Sequence, residues 1–183
     1  MAKPQEAKIL LGEAAEHLFL AGLLWRGHVA SQAPRAWKAD DILGRHGLRI
    51  QVKATDQGKR QGWMVGNVEP DPQRFYAFVD FADETDPDVY IVPSCIVRDA
   101  AEKAYRESLR VYTGAGPSVI RKIQDPYPPK LKVPGYDEGW LKTYRDGWAQ
   151  LDRGANLAPS ATSPCTPGTE TASAGTHCSP AAG

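Results

Sequence analysis

An acidic pair and a Gln-x-Lys triplet stand close together in the chain, and their side chains have the chemistry of a cation and phosphate site. Asp40 and Asp41 precede a short apolar run, and Gln51 and Lys53 follow a polar turn at residues 44–47. Because side chains alternate along a strand, Gln51 and Lys53 share one face of the second strand. The pattern predicts a hairpin that gathers an acid, an amide oxygen and an ammonium group, which suits a divalent metal ion beside a phosphodiester.

The first predicted helix, residues 6–27, carries a carboxylate on an apolar stripe. At 100° per residue, Glu16 lines up with Ile9, Leu20 and Leu23. A carboxylate in such a place has to be paired, bind a cation or lie at the margin of the buried surface. The same pattern is also consistent with glutamates that are exposed and only favour the helix.

The remaining segments alternate in an order that predicts an α/β domain with one mixed β-sheet flanked by helices. Strands are expected at residues 28–32, 40–44, 48–54, 63–65, 75–81, 89–92 and 109–112. A second helix is expected from Ser94, as its cap, to about residue 107, and residues 113–135 are expected to cross the surface. A third helix, residues 139–151, carries aromatic residues that form either a packing cap or a subunit interface.

Composition limits the class of protein. The 183 residues are 42% hydrophobic, so residues 1–153 are long enough for one compact domain. Residues 154–183 contain twenty-four Gly, Ala, Ser, Thr or Pro residues among thirty, which predicts a disordered tail. The three cysteines form no CxxC pair, and neither a bilayer-spanning run nor a signal peptide is recognisable, so a cytoplasmic protein without a membrane partner is expected.

Charge is unevenly distributed although the net charge is zero. Residues 1–66 hold ten Lys or Arg against six Asp or Glu, whereas residues 67–112 hold five against ten. The segment with the Gln-x-Lys triplet is thus the basic one. This distribution favours a polyanionic partner, although an ordinary solvated surface with local fluctuation accounts for it equally well.

Three elements in this order resemble the PD-(D/E)XK nuclease superfamily. Asp41 matches the first acid of the motif, with Asp40 in the position usually occupied by Pro. Gln51, Val52 and Lys53 match the second element, with Gln in place of the acid. The Gln-x-Lys variant resembles group I intron homing endonucleases and some restriction and junction-resolving relatives.

The preceding helix of this superfamily often carries Gly-x-x-x-Glu. Gly12 and Glu16 match that spacing, which favours Glu16 over Glu13 as the third polar group. The later strands at residues 75–81 and 89–93 also resemble core strands of the group. The resemblance covers about residues 6–107 and implies a restriction-endonuclease-like core, an oligomeric protein (dimer or tetramer) and metal-dependent cleavage of DNA.

The resemblance also assigns roles. It implies Mg²⁺ or Mn²⁺ held by Asp41, the Gln51 amide oxygen and the Val52 carbonyl. Lys53 would stabilise charge at the phosphate, and Glu16 would orient a water or complete the metal shell. Beyond the resemblance, the basic residues of the turn and the following loop are expected to bind DNA phosphates; they are Arg45, Lys59 and Arg60.

Two other interpretations stay open at this point. In the first, the domain has the nuclease fold but a decayed site, and it only binds DNA or a protein; Gln51 and the zero net charge favour this. In the second, it is an unrelated α/β domain. In the unrelated domain, Asp41 and Lys53 would form a surface ion pair. Trp63 is open to stacking on a base, but a core position is favoured.

Overall fold

A computed structural model of the chain describes residues 4–34, 36–37, 39–56, 62–83, 85–112 and 121–156. The helices in it are α1 (Pro4–Trp25), α2 (Ser94–Val111) and α3 (Ala149–Asn156). The strands are β1 (Ala30–Gln32), β2 (Ile42–Gly44), β3 (Arg49–Thr55), β4 (Trp63–Met64), β5 (Arg74–Asp80), β6 (Asp88–Pro93) and β7 (Lys122–Ile123). Short 3₁₀ turns lie at Arg45–Gly47 and Trp140–Tyr144.

The five longer strands form one mixed sheet in the order β1-β2-β3-β5-β6. Only the β3–β5 pair is parallel, and the other neighbours are antiparallel. Helices flank the sheet, so the predicted α/β class with a mixed sheet is confirmed. β4 and β7 form a separate two-stranded ribbon.

The two faces of the sheet pack against different hydrophobic clusters. The alternation of side chains along β3 decides which of its residues face α1 and which face α2. Ile50 and Val52 pack with Phe19 and Leu23 of α1 on one face. Tyr76 and Phe78 of β5 pack on the other face with residues of α2. Gln51 is in register with Tyr76 and Lys53 with Phe78, so both polar side chains of β3 belong to the α2 side of the sheet.

β2 is much shorter than its neighbour β3. It pairs only Ile42 with Ile50 and Leu43 with Arg49. Among the strands that the structure describes, none pairs with residues 53–55 of β3 on the β2 side. We refer to this part of β3 as the open edge.

The region after α2 differs from the prediction. Residues 109–112 do not form a strand, because α2 continues to Val111. Residues 121–136 do not simply cross the surface: Ile123, Tyr127, Val133 and Tyr136 are buried against the α2 side of the sheet. Residues 113–120 lie outside the described part of the chain.

The predicted helix at residues 139–151 is two short elements, the 3₁₀ turn and α3. Trp140 and Tyr144 pack on the α2 side of the sheet, whereas Trp148 packs on the α1 side. The Trp148 ring stacks on Phe19 with centroids 4.8 Å apart. These aromatic residues therefore act as packing caps on both faces. α3 continues to Asn156, so it takes in the first three residues of the predicted tail, and residues 157–183 are not described.

Ser94 does not cap α2 with its side chain. Pro93 occupies the N-cap position, and Ser94 is the first helical residue. The Ser94 hydroxyl instead accepts a hydrogen bond from the Asp71 amide and donates one to the Asp71 carbonyl, both 2.8 Å long. This residue therefore ties the loop before β5 to the start of α2.

Candidate functional site

Asp41 lies immediately before β2, beside the open edge, and not on the strand as expected. Its amide donates to the Ile50 carbonyl at 2.9 Å. Its carboxylate oxygen Oδ2 accepts a 2.7 Å hydrogen bond from the Val52 amide. The side chain thus replaces the missing strand at this point and is held in one orientation. Within the described structure the other oxygen, Oδ1, accepts no hydrogen bond.

The neighbouring acid, Asp40, has a different role. It is 4% exposed, and both of its oxygens accept hydrogen bonds from Arg74, from Nε at 2.8 Å and from Nη2 at 3.2 Å. The buried, bidentate ion pair engages both oxygens of this carboxylate with Arg74 and neutralises its charge. Of the two acids, Asp41 is the one available for chemistry.

Glu16, Asp41 and Lys53 come from three different elements and interact electrostatically. Burial raises the pKa of Glu16, and the charges of Asp41 and Glu13 raise it further, whereas Lys53 is among the groups that lower it. Burial also raises the pKa of Asp41, whereas the hydrogen bond from the Val52 amide and the charge of Lys53 lower it. The charged groups of these three predicted residues are therefore near enough to influence one another's pKa values.

Lys53 is half-buried, and its charge is poorly solvated. Burial lowers the pKa of Lys53, while Asp41 and Glu16 raise it. Among the described residues, however, no carboxylate lies within the 4.0 Å ion-pair limit of its ammonium group. Asp41 and Lys53 therefore do not form the direct surface ion pair of that alternative, and whether the domain is unrelated to the superfamily stays untested by this contact.

Gln51 lies two residues before Lys53 on the same side of β3 and is half-buried. Its partner across the parallel pair is Tyr76, a residue that the sequence analysis did not select. Burial raises the pKa of Tyr76 to about 12; Arg74 lowers it, and Asp40 and Asp41 raise it. Tyr76 is thus a buried phenol in the field of the acidic pair, and its place in an apolar strand gave no signal of this.

The other predicted residues have varied outcomes. Arg45 is exposed in the 3₁₀ turn, and Lys59 and Arg60 lie outside the described residues, so their binding to DNA stays a prediction. Trp63 is 2% exposed and donates from Nε1 to the Val79 carbonyl, which confirms a core position and leaves no face for a base.

The donor set around Asp41 fits a hard divalent cation. Two carboxylates with raised pKa values repel each other at a partly buried place, and a cation between them would relieve that repulsion. Asp41 Oδ1 is available, and Mg²⁺ commonly binds through one or two carboxylates while it keeps several waters. No group of three or more His, Cys, Asp or Glu residues with metal-binding geometry occurs in the part of the chain that the structure describes. The fit therefore depends on two acids and neutral oxygens.

Comparison with known proteins gives no family: no protein-family model and no curated protein matches this chain. Among the described helices, none is long and apolar enough to cross a bilayer.

Proposed function

We propose that the protein is a metal-dependent endodeoxyribonuclease with a restriction-endonuclease-like core of the PD-(D/E)XK type. The observation that supports the proposal is the mutual electrostatic influence of Glu16, Asp41 and Lys53, which come from α1, the residue before β2, and β3. These residues are far apart in the sequence, and they follow the order of the motif that the chain resembles.

The residues divide the work of phosphodiester hydrolysis among them. Asp41, Gln51 and the Val52 carbonyl would hold Mg²⁺ or Mn²⁺, with Asp41 Oδ1 as the anionic ligand. When bound, the metal supplies charge stabilisation at the phosphate and lowers the pKa of a coordinated water. Glu16 orients a water on the α1 side of the site.

Lys53 has the environment of a group that stabilises developing negative charge. Its ammonium is partly desolvated and is not neutralised by a direct ion pair within the described residues. An unshielded cation in a partly buried place interacts strongly with a phosphate whose charge increases in the transition state. The basic residues Arg45, Lys59 and Arg60 would anchor the DNA backbone without reading sequence.

The test is cleavage of plasmid DNA with Mg²⁺ or Mn²⁺, with EDTA as the negative condition. We expect Asp41→Ala and Lys53→Ala each to abolish cleavage. Asp137→Ala is the matched control, because that carboxylate is exposed and far along the chain from the site. Full cleavage by Asp41→Ala would show that the site is assigned wrongly.

Gln51 supports a second candidate, a nuclease-fold module that binds DNA or a protein without cutting. An amide in place of the acid leaves the site one negative charge short, so metal binding is weaker. The variant Gln51→Glu separates the two functions. If the protein is a working enzyme, the added carboxylate of Gln51→Glu should lower the cleavage rate or change the metal preference. If the site is decayed, the unmodified chain should show neither cleavage nor a metal-linked thermal shift.

A further inference from the structure

The outer face of α1 is apolar and exposed. Leu10 is 58% exposed, Leu18 38%, Leu24 52% and Trp25 89%. The buried face of the same helix, with Phe19 and Leu23, lies on the sheet. α1 therefore has two apolar faces, and within the described part of the chain only the inner one is packed against the sheet.

Six apolar residues on this side of α1 follow a heptad spacing; five of them are exposed, and Leu11 is half-buried. Steps of four and three residues alternate along the six positions, which are Ala7, Leu11, Ala14, Leu18, Ala21 and Trp25. We call these six residues the outer stripe. Such a repeat keeps a stripe facing one partner helix over its whole length. Small and large side chains alternate strictly along it.

The alternation makes the outer stripe complementary to itself in one orientation only. In an antiparallel pair, each large residue faces a small one: Leu18 faces Ala14 of the second copy, Leu11 faces Ala21 and Trp25 faces Ala7. A two-fold axis near residue 16 produces all six contacts at once, as a symmetric dimer requires. In a parallel pair, large residues would face large ones and alanines would face alanines.

We infer that the protein forms a two-fold symmetric dimer in which the outer stripes of two α1 helices pack antiparallel. The flanking positions support this arrangement, because Leu10 of one copy and Leu24 of the other lie on the same side of the pair with an offset of about 3 Å along the helix axes, and His17 is one residue from the two-fold axis. The stripe itself contains no charged residue. Alanine at every second contact lets the helix axes approach closely.

The surface available is consistent with a stable dimer. A buried aromatic side chain contributes about 150–250 Å², so the two Trp25 rings give about 300–500 Å² of the roughly 1,600 Å² of a standard interface. The leucines contribute further area from both copies. Glu16 points about 160° away from Leu18 around the helix, so the dimer leaves the candidate site of each copy open.

The first test is the mass of the full chain in solution, measured by light scattering after size exclusion. We expect about 40 kDa, twice the 20.0 kDa of one chain. Leu18→Glu should give the monomer mass, and Trp25→Glu, at the 89% exposed end of the stripe, should weaken the dimer at least tenfold. Leu109→Glu is the matched control, an exposed leucine on α2 that should leave the dimer intact. A monomeric full chain, or a dimer that resists Leu18→Glu, overturns the inference.

The second test distinguishes antiparallel from parallel packing. In a chain whose Cys95, Cys165 and Cys178 are replaced by alanine, we introduce either His17→Cys or Leu24→Cys. With the two-fold axis near residue 16, the two copies of residue 17 are offset by about 3 Å along the helix axes, whereas those of residue 24 are about 24 Å apart, beyond the roughly 7 Å that a disulfide spans. Mild oxidation should cross-link only the His17→Cys chain. A disulfide at residue 24, or at neither position, refutes antiparallel pairing.

Discussion

Asp41→Asn separates the structural role of Asp41 from its proposed role as a metal ligand. The carboxylate accepts the Val52 amide through Oδ2, and an asparagine amide oxygen can accept the same bond. Burial raises the pKa of Asp41, so at neutral pH the folded protein carries a charge that it holds less favourably than the unfolded chain does. We therefore expect Asp41→Asn to keep or increase the free energy of unfolding in the absence of metal, and to lose the response to metal.

The magnitudes differ enough to be measured. A divalent cation at ten times its dissociation constant stabilises the wild-type chain by about 1.4 kcal/mol. For a domain of this size that corresponds to a rise in Tm of about 3–6 °C. Asp41→Ala, in contrast, leaves the Val52 amide without its acceptor, at a cost of about 1–3 kcal/mol.

The assay is thermal unfolding, followed by circular dichroism, with EDTA and with a Mg²⁺ or Mn²⁺ titration. Asp40→Asn is the matched control: it disturbs the buried ion pair with Arg74 and should cost about 3–5 kcal/mol, yet it should keep the metal-induced rise. If Asp41→Asn retains the metal-induced rise in Tm, Asp41 is not a ligand. If it loses as much stability as Asp41→Ala, the account of the hydrogen bond is wrong.

Three further predictions follow from the same contacts. Lys53→Met should raise the free energy of unfolding while it abolishes cleavage, because burial disfavours the ammonium and Met keeps the apolar stem. A lower free energy of unfolding in a denaturant titration would contradict this. The metal-induced rise in Tm should shrink as the pH falls from about 7 to about 4, since the raised pKa values of Glu16 and Asp41 let protons compete with the cation; a constant rise across a pH series would argue against carboxylate ligands. Gly22→Ala should lower the free energy of unfolding by about 1–3 kcal/mol, because its Cβ would meet the Trp148 ring at 2.8 Å. Gly12→Ala is the comparison, because an added Cβ there meets nothing within 4 Å and the substitution should leave stability unchanged or raise it; equal losses for both variants would contradict the account.

Several features of the fold could be read from the sequence because they depend on local pattern. The β-prone runs predicted at residues 75–81 and 89–92 match β5 and β6 within about one residue, since an unbroken run of β-branched and aromatic residues favours a strand. The length of α1 was predicted closely for a similar reason: an unbroken helical pattern ends at Gly27, which has a positive φ of 84°.

Other features were not predictable, because they depend on partners far away in the chain. Residues 109–112 read as a strand but extend α2, whose Ala100, Ala101 and Ala104 are buried on the sheet. Trp140, Tyr144 and Trp148 have helical spacing, yet they pack on opposite faces of the sheet. Tertiary contacts outweigh local propensity where a segment is short.

The sequence by itself determined which side chains are able to do chemistry here: an acid before a strand, a Gln and a Lys two residues apart, and a glutamate on an apolar helix. The resemblance selects Asp41, but only the tertiary structure shows how the two acids differ: Asp40 is paired with Arg74, whereas Asp41 accepts, among the described residues, a hydrogen bond through one oxygen only. The physical reason is that burial and charge pairing are set by residues about thirty positions away. The alternating spacing can be read from the sequence. The burial and the neighbouring charges that shift the pKa values of Glu16, Asp41 and Lys53 arise only when the chain folds.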